Sequence, residues 1–143
     1  MPAAQARTLT AENGDMTKTR VLIVDDDVNL SRLSAMILEN SGSYEVLTEK
    51  DSRRALAVAR QFQPEITLLD VDMPHKDGGD LAREMKADPI LRAVPVLFLT
   101  GLLSKSEAGE REIECGGMPF LAKPVMPEVL LASVSRLVGS AAA

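Results

Sequence analysis

Val21-Leu22-Ile23-Val24-Asp25-Asp26-Asp27 decides the fold. Four apolar residues, mostly β-branched, stop abruptly at three aspartates. An apolar run that is continuous rather than alternating predicts a strand buried on both faces. The layout recurs down the chain: Ile66-Thr67-Leu68-Leu69 runs into Asp70, Val94-Pro95-Val96-Leu97-Phe98-Leu99 into Thr100, and Met118-Pro119-Phe120-Leu121-Ala122 into Lys123. Tyr44-Glu45-Val46-Leu47-Thr48 is a more amphipathic strand, suited to a sheet edge.

Between these runs the period becomes helical. Leu30, Leu33, Ile37 and Leu38 form one apolar stripe of a first helix. Leu56, Ala59 and Phe62 predict a second, Leu81 with Met85 a third, and Leu130, Val134, Leu137 and Val138 a last helix that closes before Gly139. A fourth, over residues 104–115, starts with a capping-box pattern at Ser104-Lys105-Ser106-Glu107. Its Gly109 and the charges at Arg111 and Glu112 then predict a short or mobile element. Slow hydrogen exchange there would reject that reading. Strands alternating with helices imply a doubly wound α/β domain: a five-stranded parallel sheet with right-handed crossovers and helices on both faces. Ligands of such sheets bind at the carboxyl ends of the strands.

The 143 residues, 45% hydrophobic and 26% charged, suffice for one core. Residues 1–19 lack any period and are expected to be a flexible leader, residues 20–139 the domain and residues 140–143 a short tail. Nothing approaches the roughly 20 apolar residues of a membrane span, and Met1-Pro2-Ala3-Ala4 lacks a signal-peptide layout, so a cytoplasmic protein is expected. Cys115 is the only cysteine, which excludes an intrachain disulfide and a four-thiolate metal site. A net charge of −5 argues against nucleic-acid binding through overall charge. His75 is the only histidine and lies in a turn sequence, Met73-Pro74-His75-Lys76-Asp77-Gly78, which removes histidine-based triads.

Four strands end in chemically useful groups: Asp25-Asp26, Asp70, Thr100 and Lys123. Any one alone reads as a loop residue, and Asp27 reads as the N-cap of the first helix. Gathered at one end of a sheet, the aspartates would repel by about 4 kcal/mol per pair at about 4 Å in an effective dielectric near 20. A hard divalent cation that prefers carboxylate oxygens offsets this, which points to Mg²⁺, or Mn²⁺ in its place. Lys123 adds a mobile positive charge. One carboxylate can then attack phosphorus while the others hold the ion, and Thr100 can hydrogen-bond a phosphoryl oxygen.

These segments, together with Leu68-Leu69-Asp70-Val71-Asp72-Met73-Pro74, Asp77-Gly78, Leu99-Thr100-Gly101 and Phe120-Leu121-Ala122-Lys123-Pro124, resemble the receiver domain of two-component response regulators over about residues 20–139. The resemblance implies a flavodoxin-like strand order 2-1-3-4-5. It implies that Asp70 is the phosphoacceptor, that Asp25 and Asp26 form the acidic metal pocket with Asp70, and that the Asp72 backbone carbonyl completes the protein ligands. Thr100 becomes the switch hydroxyl, Lys123 the phosphate partner, Phe120 the aromatic that turns inward, and Lys123-Pro124 a cis peptide. The donor it implies is a phosphohistidine on a sensor histidine kinase or phosphotransfer protein, or a small compound such as acetyl phosphate.

The readers it implies are a downstream protein, or a second copy in a homodimer, on the face of the fourth helix, fifth strand and last helix. With no output domain after residue 139, a single-domain regulator is expected. Positions two residues beyond Asp70 and Thr100, here Asp72 and Leu102, tune hydrolysis in that family. Leu102 is expected to exclude attacking water, so Leu102→Glu should change the rate at which the phosphorylated mass decays. Pro119 suits an edge strand.

Two other readings differ in class. A haloacid-dehalogenase-type phosphatase shares Asp-x-Asp, Thr, Lys and an acidic pair, but in reverse order and with a cap that this chain lacks room for. A receiver-like binding module would work without phosphorylation.

Overall fold

The computed structural model describes residues 18–101, 113–115 and 117–142. The strands are β1 (Thr19–Val24), β2 (Tyr44–Glu49), β3 (Ile66–Asp70), β4 (Val96–Thr100), β5 (Ile113–Cys115) and β6 (Met118–Ala122). The helices are α1 (Val28–Asn40), α2 (Ala55–Phe62), α3 (Gly78–Ala87) and α4 (Pro127–Ala142). Five strands pair in parallel in the order β2-β1-β3-β4-β6, the expected doubly wound arrangement, and β5 adds to β6 in antiparallel.

The aspartate-terminated run forms the sheet's middle because its side chains need cover on both faces. Leu22 and Val24 point to one core, with Leu69, Phe98, Ala55 and Ala59 of α2, and Leu81 and Met85 of α3. Val21 and Ile23 point to the other, with Leu68, Leu97, Leu38 of α1, and Leu130 and Val134 of α4. Asp27 caps α1 by accepting from the Leu30 N–H, and Asp77 caps α3 by accepting from the Asp80 N–H. Each such cap contributes about 1 kcal/mol. Arg20, at the opposite end of β1 from the aspartates, donates from Nε to the carbonyls of Phe62 and Gln63 (both 2.9 Å). It thereby ties off α2, whose cap residue Gln63 is left-handed at φ 53°.

The structure departs from the sequence reading in five places. Residues 104–112 of the expected fourth helix, with Leu102, lie outside the described residues, whereas residues 113–115 form a strand. Cys115 pairs with Met118 across a tight turn containing Gly117 at φ 81°, a conformation glycine adopts without cost. Pro119 is therefore not on an edge strand but opposite Glu114 of β5. Leu33, expected on the buried stripe, is 48% exposed and walls an open cleft beside α1. Finally, α4 continues past Gly139 to Ala142, and Thr19, expected in the leader, pairs with Tyr44. One exposed glycine, costing about 1 kcal/mol, does not stop a 16-residue helix whose next residues are Ser and Ala.

Thr67 is fully buried in β3, and its hydroxyl has no hydrogen-bond partner among the described residues. Burying an unmet hydroxyl is destabilising, so Thr67→Val is expected to raise stability by about 1 kcal/mol. A urea midpoint that falls would contradict this.

Candidate functional site

Each site residue sits where an apolar run meets water. β1 delivers Asp25, 1% exposed, and the exposed Asp26; β3 delivers Asp70, 4% exposed. One carboxylate oxygen from each of the three lies within 4.8 Å of the others. The register Asp70↔Leu99 sets Thr100 beside the end of β3, and the Lys123 main-chain N–H donates to the Thr100 carbonyl at 2.8 Å. The Lys123 ammonium then bridges two carboxylates, 2.9 Å from Asp25 Oδ2 and 3.2 Å from Asp70 Oδ1. Asp25 Oδ1 accepts from the Asp27 N–H at 2.9 Å, which fixes the acidic turn.

Three carboxylates face one ammonium. Burial, and then the charge of Asp25, push the Asp70 carboxyl up to about 7, against the opposing pull of Lys123. Burial pulls Lys123 down, but Asp25 and Asp70 outweigh it, and the ammonium is held above its ordinary range. Such a pocket favours additional positive charge. Its converging donors are all hard oxygens, which suit Mg²⁺ and not a soft metal. A carboxylate poised between protonated and charged beside fixed positive charge is a typical signature of a functional site.

The structure thus brings Asp25, Asp26, Asp70, Thr100 and Lys123 together. The Asp72 side chain is exposed and stands apart from the three-carboxylate group; its backbone lies on the loop that leaves β3, closed by the Gly78 N–H donating to the Val71 carbonyl at 3.0 Å. Phe120 is paired with Phe98 rather than with Thr100, and the two rings stack at 4.9 Å. The Lys123-Pro124 peptide is cis. Sequence reasoning missed Ser52. It is 2% exposed, and its hydroxyl donates to the Pro74 carbonyl at 2.8 Å. Its position after Asp51, ahead of a helix, signals a cap and nothing more.

The profile of the response regulator receiver domain matches residues 21–135. The chain belongs to this family. Among curated receiver proteins, it is 39% identical over 119 residues to the response regulator PleD of Caulobacter vibrioides, covering 82% of this chain but 26% of PleD. It is 30% identical to the DNA-binding response regulator MtrA of Mycobacterium tuberculosis, over 84% of this chain and 50% of MtrA. It therefore spans a quarter to a half of those relatives. The polar-differentiation response regulator DivK of Brucella ovis is 28% identical and is covered completely, with 88% of this chain. Among solved receiver structures, the Vibrio cholerae chemotaxis protein CheY4 superposes with a TM-score of 0.71 at 31% identity, over 84% of this chain and 98% of that one.

Receiver domains are signalling domains of two-component phosphorelays that work with histidine kinases or phosphotransfer proteins. The family match and these relatives are response regulators, not phosphatases. No helix among the described residues is long and apolar enough to cross a membrane.

Proposed function

We propose that this receiver accepts a phosphoryl group on Asp70 with the help of Mg²⁺, or of Mn²⁺ in its place, and passes the change to a partner protein through the loops after β4 and β6. The observation that carries this is the convergence of Asp25, Asp26 and Asp70 with Lys123 bridging two of them. Asp25, Asp26, Asp70 and the Asp72 carbonyl would hold the ion, which supplies charge neutralisation at the phosphoryl oxygens. An Asp70 oxygen attacks phosphorus as the bond to a donor imidazole or acetate breaks, giving an aspartyl phosphate and the free leaving group. The site contributes alignment and charge and leaves the donor's energy in the new bond. On this reading the domain assists its own phosphorylation and dephosphorylation and is not an enzyme acting on other substrates.

The new group replaces one negative charge with roughly 1.5 to 2, and adds strong acceptor oxygens. Lys123 and the Thr100 hydroxyl turn to it. Because the Lys123 main chain is bonded to Thr100, the ends of β4 and β6 move as a unit, and Phe120, stacked on Phe98 in this state, reports the shift to the surface. A downstream protein, or a second copy of the chain, reads the face of β6 and α4. The donor is a phosphohistidine on a sensor histidine kinase or phosphotransfer protein in a cytoplasmic pathway.

Intact mass after incubation with acetyl phosphate or phosphoramidate tests the reading. One added phosphoryl group that requires Mg²⁺ is the expected result. A folded, Mg²⁺-binding chain that gains no mass would shift the reading to a phosphorylation-independent module.

A further inference from the structure

Ser52 comes just before α2, where a serine usually caps a helix. Here the N-cap position is Arg54, which makes no side-chain cap. The Ser52 hydroxyl instead reaches across to the loop after β3 and donates to the Pro74 carbonyl, 22 positions away. That same carbonyl accepts from the Lys76 N–H at 2.8 Å, and Met73 beside it is buried in the core. The far end of the loop is pinned differently. The Gly78 N–H donates to the Val71 carbonyl at 3.0 Å, and a Cβ added at Gly78 would lie 2.5 Å from the Asp70 carbonyl oxygen and 3.2 Å from Val71 Cα. Those contacts are with backbone, so any side chain at Gly78 must displace the acceptor's own peptide or the start of α3. Val71 N–H, donating to the Leu99 carbonyl at 2.9 Å, fixes the near end. Between these anchors lies Asp72.

We infer that Ser52 and Gly78 are positioning residues that preset the loop after β3 for a divalent cation, so that the Asp72 carbonyl serves the same ion as Asp25, Asp26 and Asp70. The inference rests on the metal reading proposed above. Its physical content is preorganisation: groups that orient a ligand raise affinity without touching the metal. Ser52 brings the connection between β2 and α2 into the site's design, and Gly78 allows α3 to start against the acceptor strand.

The test is Mg²⁺ titration by calorimetry on the full chain, with the metal-free melting midpoint of every variant. Ser52→Ala and Gly78→Ala are expected to weaken Mg²⁺ binding roughly tenfold or more. Val134→Ala, which opens the core on the other face of the sheet, is expected to lower the metal-free midpoint and leave affinity within roughly twofold. That split between affinity and stability is what a merely structural role would not produce. Wild-type binding matched by Ser52→Ala overturns the inference, and it decides alone if Gly78→Ala does not fold. A wild type that takes up no Mg²⁺ overturns the metal reading itself and the clamp with it.

Discussion

Asp70→Asn is expected to abolish phosphoryl transfer, with no added mass from acetyl phosphate or phosphoramidate at any Mg²⁺ concentration. An amide has no anionic oxygen with which to form the acyl phosphate, whereas it keeps the shape of the carboxylate. The side chain is almost fully buried at the end of β3 with Lys123 Nζ 3.2 Å from Oδ1, and an Asn oxygen can still accept that bond. The fold therefore survives, and a melting curve shows it. Asp25 and Asp26 stay in place, with one carboxylate oxygen of each within 4.8 Å of the other and of an Asp70 oxygen. They are the internal control: an adduct on the Asp70→Asn chain would mean that one of them is the nucleophile, and the assignment of roles would fail. Loss of the adduct with the fold intact isolates Asp70 as the acceptor.

The legible parts of this molecule are those where burial and chemistry fall on adjacent residues. Val21 to Asp25 passes from fully buried apolar atoms to a buried carboxylate in one step, and that edge in hydrophobicity marks both a strand and its functional end. The same holds at Leu69-Asp70 and Leu99-Thr100. The illegible parts depend on contacts distant in sequence. Leu33 fits the helical period, yet the floor it would pack on is a cleft shared with Val125 and Lys123, which no local pattern encodes. Ile113-Glu114-Cys115 is too short for a period, and it becomes a strand only because β6 offers a free edge and Gly117 permits the turn. Ser52 shows the same limit in the site, since a hydroxyl aimed 22 residues away looks like a cap from its neighbours alone. Gly78 was visible as half of an Asp-Gly pair, but its close approach to the Asp70 carbonyl exists only once α3 is docked.

The charge balance at the site predicts an unusual pH dependence. Metal-free wild type is expected to lose stability relative to Asp70→Asn as pH rises from about 4 to about 7. The folded chain holds the Asp70 proton up to about 7, while the unfolded chain releases it near its ordinary value of 3.8. Within that window the native state binds more protons than the unfolded one, so the stability due to the protonated carboxyl is present at low pH and is lost on the way up. The full shift would correspond to about 4 kcal/mol. Screening by solvent at the strand ends reduces this to about 1–2 kcal/mol at pH 8. Asp51 and Asp88 are shifted the opposite way by Arg53 and Arg60, but both variants carry them, and they cancel in the comparison. Mg²⁺ should then invert the ranking above pH 7, because the same uncompensated carboxylates that weaken the free protein bind the ion. At a hundredfold excess over Kd the gain is about 2.7 kcal/mol for wild type, and it is smaller for a chain lacking one ligand charge. A wild-type minus Asp70→Asn difference that stays flat across this range, with and without Mg²⁺, would show that the three carboxylates do not act on one another. The site would then lose the electrostatic basis for both its metal and its nucleophile.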